Sequence, residues 1–270
     1  MHWEKEPSPT VRTPPAPVAV SFAGQEQAEA AGLLARQLGL PLAPLSGEEY
    51  PLLLVRTADR LELRQTGRNA AGPLFVDFGA EALLYRRRHG GSRKEAVARA
   101  VGLRGGSSPT VLDVTAGLGR DGFILASLGC RVRLVERSPL VAALLADGLS
   151  RAEKTPQLAR ITGNLCLTVG NSLEILAKWR DESPEVVFLD PMYPHRGKSA
   201  LVKKEMRLIR LLVGDDEDSD ALLPAALAVA SRRVVVKRPR LAPALAGPEP
   251  TFTLAGKNSR FDVYLITKAP

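Results

Sequence analysis

A glycine-rich turn surrounded by acidic residues is the first feature that could do chemistry. Residues 117–122 fit the pattern Gly-x-Gly-x-x-Gly, with Asp113 shortly before Gly117 and Asp121 between Gly119 and Gly122. The pattern alone fits a dinucleotide site, an S-adenosylmethionine site or a structural turn. Carboxylates at these places would repel a pyrophosphate, whereas a ligand with an ammonium and a sulfonium group would be attracted. The acids therefore favour a cationic nucleotide-type ligand, which the glycines would let approach the backbone closely.

Polar residues also follow the next two predicted strands. Glu136 directly follows the predicted strand at 131–135 and is placed to accept hydrogen bonds from the two ribose hydroxyls of an adenosine. The alternative is a surface carboxylate paired with Arg137. Asn171 and Ser172 follow residues 165–169, within reach of an adenine edge, although the same pair also makes an ordinary helix N-cap.

The string Asp190-Pro191-Met192-Tyr193 follows the apolar residues 186–189 and suits a nucleobase amine. Such an amine is a poor nucleophile because its lone pair is delocalised into the ring. The Asp190 carboxylate and the Pro191 carbonyl could accept its two N–H bonds and orient it, while Tyr193 could stack on the base. The alternative is a proline-containing turn with a buried tyrosine.

Basic residues cluster directly after this string. The net charge is +8 and the pI about 9.8, which suits a polyanionic partner such as nucleic acid. We predict that the cluster and a second group at the end of residues 233–236 contact RNA phosphates; these residues are His195, Arg196, Lys198, Lys203, Lys204, Arg207, Lys237 and Arg238. The alternative is a solvated basic helix face. The run 86–88 fits a phosphate contact and a solvated linker equally.

The elements that must position these residues alternate between strand and helix after residue 110. Strands are predicted at 110–114, 131–135, 165–169, 185–189, 233–236 and 261–267, and helices at 120–128, 139–149, 173–179, 199–213 and 221–231. Such alternation predicts an α/β fold with a mostly parallel, doubly wound sheet. Ligands bind beyond the carboxyl ends of the strands in sheets of this kind, where all the acidic residues above are expected.

The first part of the chain has a different pattern. A strand at 18–22, a helix at 25–38, a hairpin from 51–57 and 61–65, and a further strand at 74–78 are predicted. We therefore expect a small α+β domain at 1–84 whose first segment is flexible, a basic linker with a short helix at 85–109, and the main domain at 110–270.

Several classes of protein are disfavoured by composition. No apolar run approaches the length of a membrane span, and residues 1–17 have no apolar core that would make a secretory signal. Cys130 and Cys166 have no Cys-x-x-Cys spacing, and the histidines have no metal-ligand spacing, so no metal is predicted. Both cysteines are expected to be buried, reduced thiols in a cytosolic, cytoplasmic protein.

Residues from about 73 to 267 resemble the family of 16S rRNA (guanine(1516)-N(2))-methyltransferases, the RsmJ or YhiQ family. The resemblance is carried by long strings within residues 113–121, 136–139, 189–195, 198–207 and 234–239. It implies a Rossmann-like class I methyltransferase fold with a seven-stranded sheet, S-adenosylmethionine as cofactor, and 16S rRNA or the small ribosomal subunit as partner. It also implies cofactor contacts at Arg120, Asp121, Glu136, Arg137, Asn171, Ser172 and Asp190. Amino methyltransferases more widely have a second proline where this chain has Met192.

Alternatives remain open at this point. An Asp-Pro-x-Tyr loop can present an adenine N6 amine as well as a guanine N2 amine, in RNA or in DNA. A dinucleotide-dependent oxidoreductase and a non-catalytic RNA-binding protein are the alternatives from other classes. The sequence also leaves open the oligomeric state and the choice between free rRNA and an assembled subunit.

Overall fold

Two sheets are formed by the residues that the computed structural model describes, which are 17–46, 49–68, 70, 72–80, 96–103, 108–192, 204–213, 219–256 and 259–267. The smaller sheet contains β1 (Val18–Phe22), β2 (Leu52–Arg56) and β3 (Leu61–Gln65). The larger contains β4 (Thr110–Asp113), β5 (Arg131–Glu136), β6 (Leu165–Val169), β7 (Val186–Leu189), β8 (Arg233–Pro239), β9 (Phe252–Ala255) and β10 (Ser259–Leu265).

The larger sheet has the order β6-β5-β4-β7-β8-β10-β9. Its first five strands are parallel, and β10 runs antiparallel to both β8 and β9. The chain passes from β4 outwards to β5 and β6 and then crosses to β7 on the other side of β4. The carboxyl ends of β4 and β7 therefore flank a topological switch point, which is where open α/β sheets bind their ligands. The α/β class and the mostly parallel seven-stranded sheet are confirmed.

Helices accompany both sheets. They are α1 (Ala28–Leu38), α2 (Ala96–Ala100), α3 (Arg120–Ser127), α4 (Pro139–Glu153), α5 (Pro156–Thr162), α6 (Ser172–Ala177), α7 (Lys204–Val213) and α8 (Ser219–Val229). The start of α4 illustrates how the sequence sets their ends, because the Ser138 side chain accepts a hydrogen bond from Val141 N and Pro139 occupies the first turn. None of the helices in the described ranges is long and apolar enough to cross a membrane.

The smaller sheet packs against the larger unit rather than standing apart from it. One continuous hydrophobic cluster contains Val20 and Leu54 of the smaller sheet together with Phe123 of α3. Phe78, which follows the smaller sheet, stacks on Phe123 with ring centroids 4.6 Å apart. The predicted α+β character of the first part is confirmed, since β1 and β2 pair in parallel, β2 and β3 pair antiparallel, and α1 packs on them.

An ion pair and a close backbone approach join the two parts. Arg56 Nη1 lies 2.6 Å from Asp147 Oδ1 on α4. A Cβ atom added to Gly148 would lie 2.5 Å from Val76 Cγ1, so only glycine lets the segment after β3 lie directly on the helix. The division of the chain into domains at 84 and 109 stays a prediction.

Four local predictions were wrong or incomplete. The strand at 74–78 is reduced to a single bridge between Leu63 and Leu74. The helix α5 was not predicted, although Thr155 and Pro156 at its start are a signal for one. The strand β9 was missed because it is a short, largely exposed edge strand without alternating hydrophobicity. Cys166 is exposed, whereas Cys130 is buried as expected.

Candidate active site

A cavity of about 270 Å³ opens at the carboxyl ends of β4, β5 and β7. This volume is close to the lower end of the range of small-molecule sites, which is about 300–1,000 Å³. Every predicted cofactor residue except Gly119 lines it, namely Asp113, Gly117, Arg120, Asp121, Glu136, Arg137, Asn171, Ser172 and Asp190. The structure thus brings together side chains that are distant in the sequence.

Gly119 and Gly122 serve packing rather than direct lining of the cavity. Gly119 has a φ of 71° at the N-cap of α3, and an added Cβ would lie 2.7 Å from Leu145 Cδ1. A Cβ on Gly122 would lie 2.4 Å from Leu134 Cδ2 of β5. These glycines let α3 begin immediately after the turn and lie close to the sheet.

Glu136 ties the glycine turn to the end of β5. Its Oε2 accepts a hydrogen bond of 2.8 Å from Gly117 N, and its Oε1 accepts one of 2.8 Å from Ser138 N. Gly117 has a φ of 54°, a conformation that favours glycine and aims its N–H at this carboxylate. A carboxylate offers about four acceptor positions, so these two bonds leave capacity for ribose hydroxyls.

Asp113 is almost fully buried at the end of β4. Its side chain is 3% exposed, and its Oδ1 accepts a hydrogen bond from Thr115 N at 3.1 Å. Burial, together with the nearby carboxylates of Asp121 and Asp190, raises the pKa of Asp113 to about 8. The group therefore binds a proton at neutral pH until a cation approaches it.

Asp190 stands just beyond β7 in a network that the sequence did not reveal. Its backbone N–H donates to Thr115 Oγ1 at 2.6 Å. Its Oδ2 lies 2.7 Å from Lys237 Nζ, which also lies 2.5 Å from Asp121 Oδ2. Burial raises the pKa of Asp190, and the charge of Lys237 opposes that rise.

Asn171 and Ser172 have structural partners as well as places in the cavity wall. Asn171 Oδ1 accepts hydrogen bonds from Leu173 N and Glu174 N and thereby caps α6. Ser172 Oγ donates to Val114 O at 2.5 Å. The N-cap alternative for this pair is confirmed, and contact with an adenine edge stays a prediction.

Apolar side chains complete the cavity wall. Those that come from helices are Val141, Leu173, Ile209, Val213 and Leu222. The sequence did not single them out, because their helical spacing is that of ordinary core residues. An apolar wall opposite carboxylates suits a ligand with one flat aromatic end and one charged end.

The predicted RNA contacts are only partly within the described residues. Tyr193, His195, Arg196, Lys198 and Lys203 lie outside them, as does the side chain of Lys204. The run 86–88 also lies outside them. Arg207 on α7 is exposed and therefore accessible to a phosphate.

Two of the basic residues that were predicted to contact phosphates bind partners within the protein instead. Lys237 is held inside the cavity by Asp121 and Asp190 instead of facing outwards. Arg238 is 5% exposed, and its Nε donates to Pro243 O at 3.1 Å. Both corrections have one cause, since β8 extends to Pro239 and therefore keeps these residues within the sheet. In the ranges described, no group of three or more His, Cys, Asp or Glu residues could hold a metal ion.

Comparison with known proteins agrees with this geometry. Residues 34–266 match the family model described as "Putative SAM-dependent methyltransferase". A solved SAM-dependent methyltransferase from Neisseria gonorrhoeae superposes with a TM-score of 0.70 at 38% identity, covering 93% of this chain and 98% of that one. The fold and the site thus define an S-adenosylmethionine-dependent methyltransferase of Rossmann-like fold.

Curated relatives narrow the class further. The ribosomal RNA small subunit methyltransferase J of Pseudomonas aeruginosa PAO1 is 55% identical over 237 residues, covering 88% of this chain and 90% of that protein. The protein of the same name from Stutzerimonas stutzeri is 52% identical over 248 residues, covering 92% and 93%. The chain belongs to the ribosomal RNA small subunit methyltransferase J family.

Proposed function

We propose that this chain transfers a methyl group from S-adenosylmethionine to the exocyclic N2 amine of a guanine in the 16S rRNA of the small ribosomal subunit. The single observation that carries the proposal is the position of Asp190, which follows β7 and lines the same cavity as Glu136. One cavity therefore holds an acceptor for an amine and an acceptor for a ribose. The curated relatives are named as ribosomal RNA small subunit methyltransferases, which supports rRNA as the substrate.

The residues of the cavity fit the cofactor. Glu136 is placed to accept the ribose hydroxyls, and the apolar wall suits the adenine. The buried Asp113 and the largely buried Asp121 suit the ammonium and sulfonium groups, because two cations compensate for carboxylates that burial would otherwise destabilise. Arg120, which also lines the cavity, is placed at the first turn of α3 to bind the ligand's carboxylate. When bound, S-adenosylmethionine supplies an electrophilic methyl group on a sulfonium that leaves as a neutral thioether.

Asp190 and Pro191 orient the acceptor. A carboxylate that accepts an N–H hydrogen bond directs the amine lone pair and stabilises the positive charge that develops on the nitrogen during transfer. The lone pair of N2 forms the new bond to carbon as the bond from carbon to sulfur breaks, and N2 then releases one proton to solvent, so the product amine is neutral. Tyr193, two positions after Pro191 in the sequence, is proposed to stack on the base.

The basic residues around Arg207 are proposed to hold the RNA backbone beside the cavity. The target guanine has to leave its stack to enter, at a cost of a few kcal/mol that backbone contacts offset. We propose that the first part of the chain supports this arrangement by holding α3 and α4 in place, because Phe78 stacks on Phe123 and Arg56 pairs with Asp147. A substrate in the small ribosomal subunit supports the further proposal that the protein acts in the cytoplasm.

The test is methyl transfer to small ribosomal subunits that lack the modification, with Asp190→Asn and a matched control. Asp181→Asn is the control, because Asp181 is an exposed acid paired with Arg133. We expect Asp190→Asn to lower the transfer rate by about 100-fold or more, since removal of one group that stabilises developing charge costs about that much. Near wild-type turnover of Asp190→Asn would refute the role of Asp190.

A further inference from the structure

The ammonium group of Lys237 joins the two halves of the candidate active site. Its Nζ lies 2.7 Å from Asp190 Oδ2, on the acceptor side, and 2.5 Å from Asp121 Oδ2, at the first turn of α3. The Lys237 side chain is only 25% exposed. Burying part of a lysine is costly unless its charge is paired, and both of these partners are carboxylates of the cavity.

The parallel pairing of β7 and β8 explains why this lysine meets Asp190. Leu189 is the register partner of Val236, so the residues that follow them, Asp190 and Lys237, lie side by side. Lys237 is still part of β8, which continues to Pro239. Its backbone is therefore fixed by the sheet, and its ammonium group is a rigidly anchored partner for Asp190.

We propose that Lys237 is a positioning residue for the methyl acceptor: it binds Oδ2 of Asp190, fixes the carboxylate, and leaves Oδ1 to accept the N–H bond of the target amine. The inference rests on the role of Asp190 given under the proposed function. The Asp190 side chain is 40% exposed although its Oδ2 is bound to Lys237, so the carboxylate remains accessible to a ligand.

The charge of Lys237 gives this role a signature that simple packing lacks. The charged groups near Asp190 are the Asp121 carboxylate and the cations Lys237 and Arg238, and the buried Asp113 carboxyl group lies beside them. Burial and Asp121 raise the pKa of Asp190, whereas Lys237 and Arg238 lower it. The carboxylates of Asp190 and Asp121 raise the pKa of Lys237 in return, so Lys237 stays charged throughout the working pH range.

The sign of the effect follows from these partners. When the Lys237 charge is removed, burial and the Asp121 carboxylate raise the pKa of Asp190 with only Arg238 to oppose them, so this pKa rises further. A protonated Asp190 is a weaker acceptor and cannot stabilise positive charge on the amine. Loss of Lys237 should therefore lower the rate of transfer at low pH, and the rate should recover as the pH rises and Asp190 ionises.

The cofactor should respond differently from the reaction. S-adenosylmethionine carries one more positive charge than negative, and removal of a cation from its cavity makes the local potential more negative. Its dissociation constant is therefore expected to stay the same or fall when Lys237 is neutralised. A defect confined to turnover separates positioning of the acceptor from damage to the cofactor site.

The experiment compares Lys237→Met, Lys237→Gln and Lys237→Arg with a control, Lys178→Met, at an exposed lysine outside the cavity. Single-turnover methyl transfer to small ribosomal subunits is measured between about pH 6 and 9, with cofactor affinity and urea midpoints measured in parallel. In both neutral variants we expect the acid limb of the rate profile to shift to higher pH by about one pH unit or more. This is the usual size of the effect of one adjacent charge on a pKa. At the acid end this is a loss of about tenfold or more. The Arg variant keeps its acid limb at the wild-type pH, because a guanidinium is also charged.

The outcomes separate this inference from the proposed function. If the wild type transfers no methyl group to rRNA, the proposed function fails. If the wild type is active, Asp190→Asn is inactive and the neutral variants at Lys237 have a wild-type pH profile, only the role of Lys237 is refuted. A loss of rate that is equal at every pH, or unfolding of both neutral variants, would make Lys237 a structural residue and overturn the proposal.

Discussion

Replacement of Glu136 by Gln should weaken both the fold and cofactor binding, and the two losses can be separated. Gln has the same shape as Glu but has one carbonyl oxygen and an NH2 group in place of two acceptor oxygens. In the wild type both carboxylate oxygens accept backbone hydrogen bonds of 2.8 Å, from Gly117 N and Ser138 N. One of these two N–H groups must face an NH2 group in the variant.

The structure allows both losses to be estimated. An N–H group left without an acceptor beside an 8% exposed side chain costs about 1–3 kcal/mol of stability. On the cofactor side, the variant loses one hydrogen bond between a ribose hydroxyl and a charged acceptor, which contributes about 1.5–3 kcal/mol. That loss corresponds to about 10- to 150-fold weaker binding of S-adenosylmethionine.

Glu62→Gln is the matched control for this variant. Glu62 is also a buried carboxylate with two donors, Arg60 Nε at 2.8 Å and Arg64 Nε at 2.6 Å, but it belongs to β3 and lies outside the cavity. Urea unfolding should show both variants to be destabilised, whereas calorimetric titration with S-adenosylmethionine should show a loss of affinity only in Glu136→Gln. Equal cofactor affinity in the two variants would refute the ribose role of Glu136.

Three other perturbations test other parts of the account. Gly119→Ala should lower the free energy of unfolding by about 1–2 kcal/mol because of the left-handed conformation, and by about 1–3 kcal/mol more because the added Cβ would lie 2.7 Å from a leucine methyl group. Gly39 also has a left-handed conformation, with a φ of 65°, but has open space around it. Urea unfolding should therefore show only the first loss in Gly39→Ala. The pKa of Asp113 is about 8 in the folded protein and near 4 in the unfolded chain, so between about pH 4 and pH 8 Asp113 takes up a proton on folding. The free energy of unfolding of the wild type should therefore fall as the pH rises from 6 to 8. Urea titrations at several pH values should show a shallower fall in Asp113→Asn, and equal slopes would contradict the burial of this acid. Arg207→Glu should weaken RNA binding and lower its salt slope by about one or more, whereas reversal at exposed Arg36 should leave the slope unchanged. Filter binding at several salt concentrations measures both, and an unchanged slope in Arg207→Glu would remove α7 from the RNA interface.

The glycine turn and the acids at the strand ends could be predicted because each is a local pattern. The alternation of strands and helices places Asp113, Glu136 and Asp190 at one edge of a parallel sheet, and this placement does not depend on how the residues between them pack. The structure agrees, since all three line one cavity. Gly122 also behaves as the pattern predicts, because close packing of α3 on β5 requires the absence of a side chain.

The place of Lys237 could not be predicted in the same way. Its contact with Asp190 depends on the register between β7 and β8, and these strands are separated in the sequence by two helices. A basic residue at the end of an apolar run has no feature that distinguishes a surface cation from an internal one. The same reason applies to Arg238, whose burial depends on where β8 ends.

The shared core is a further result that local patterns do not contain. The hairpin of β2 and β3 was predicted from its apolar runs and short turn, but the stacking of Phe78 on Phe123 joins residues from the two parts of the chain. The apolar cavity wall formed by Ile209 and Leu222 likewise depends on how α7 and α8 pack. Tertiary packing, rather than periodicity, decides which face of each helix meets the ligand.

The most direct test of the central claim is the identity of the methylated nucleoside. Labelled methyl groups from S-adenosylmethionine are offered with small ribosomal subunits lacking the modification, naked 16S rRNA and duplex DNA, and each acceptor is digested to nucleosides. We predict label in N2-methylguanosine from subunits or rRNA, and the difference between those two acceptors shows whether the enzyme acts on the assembled particle. Label in N6-methyladenosine, label in DNA, or no label from an enzyme that binds S-adenosylmethionine would contradict the proposed reaction.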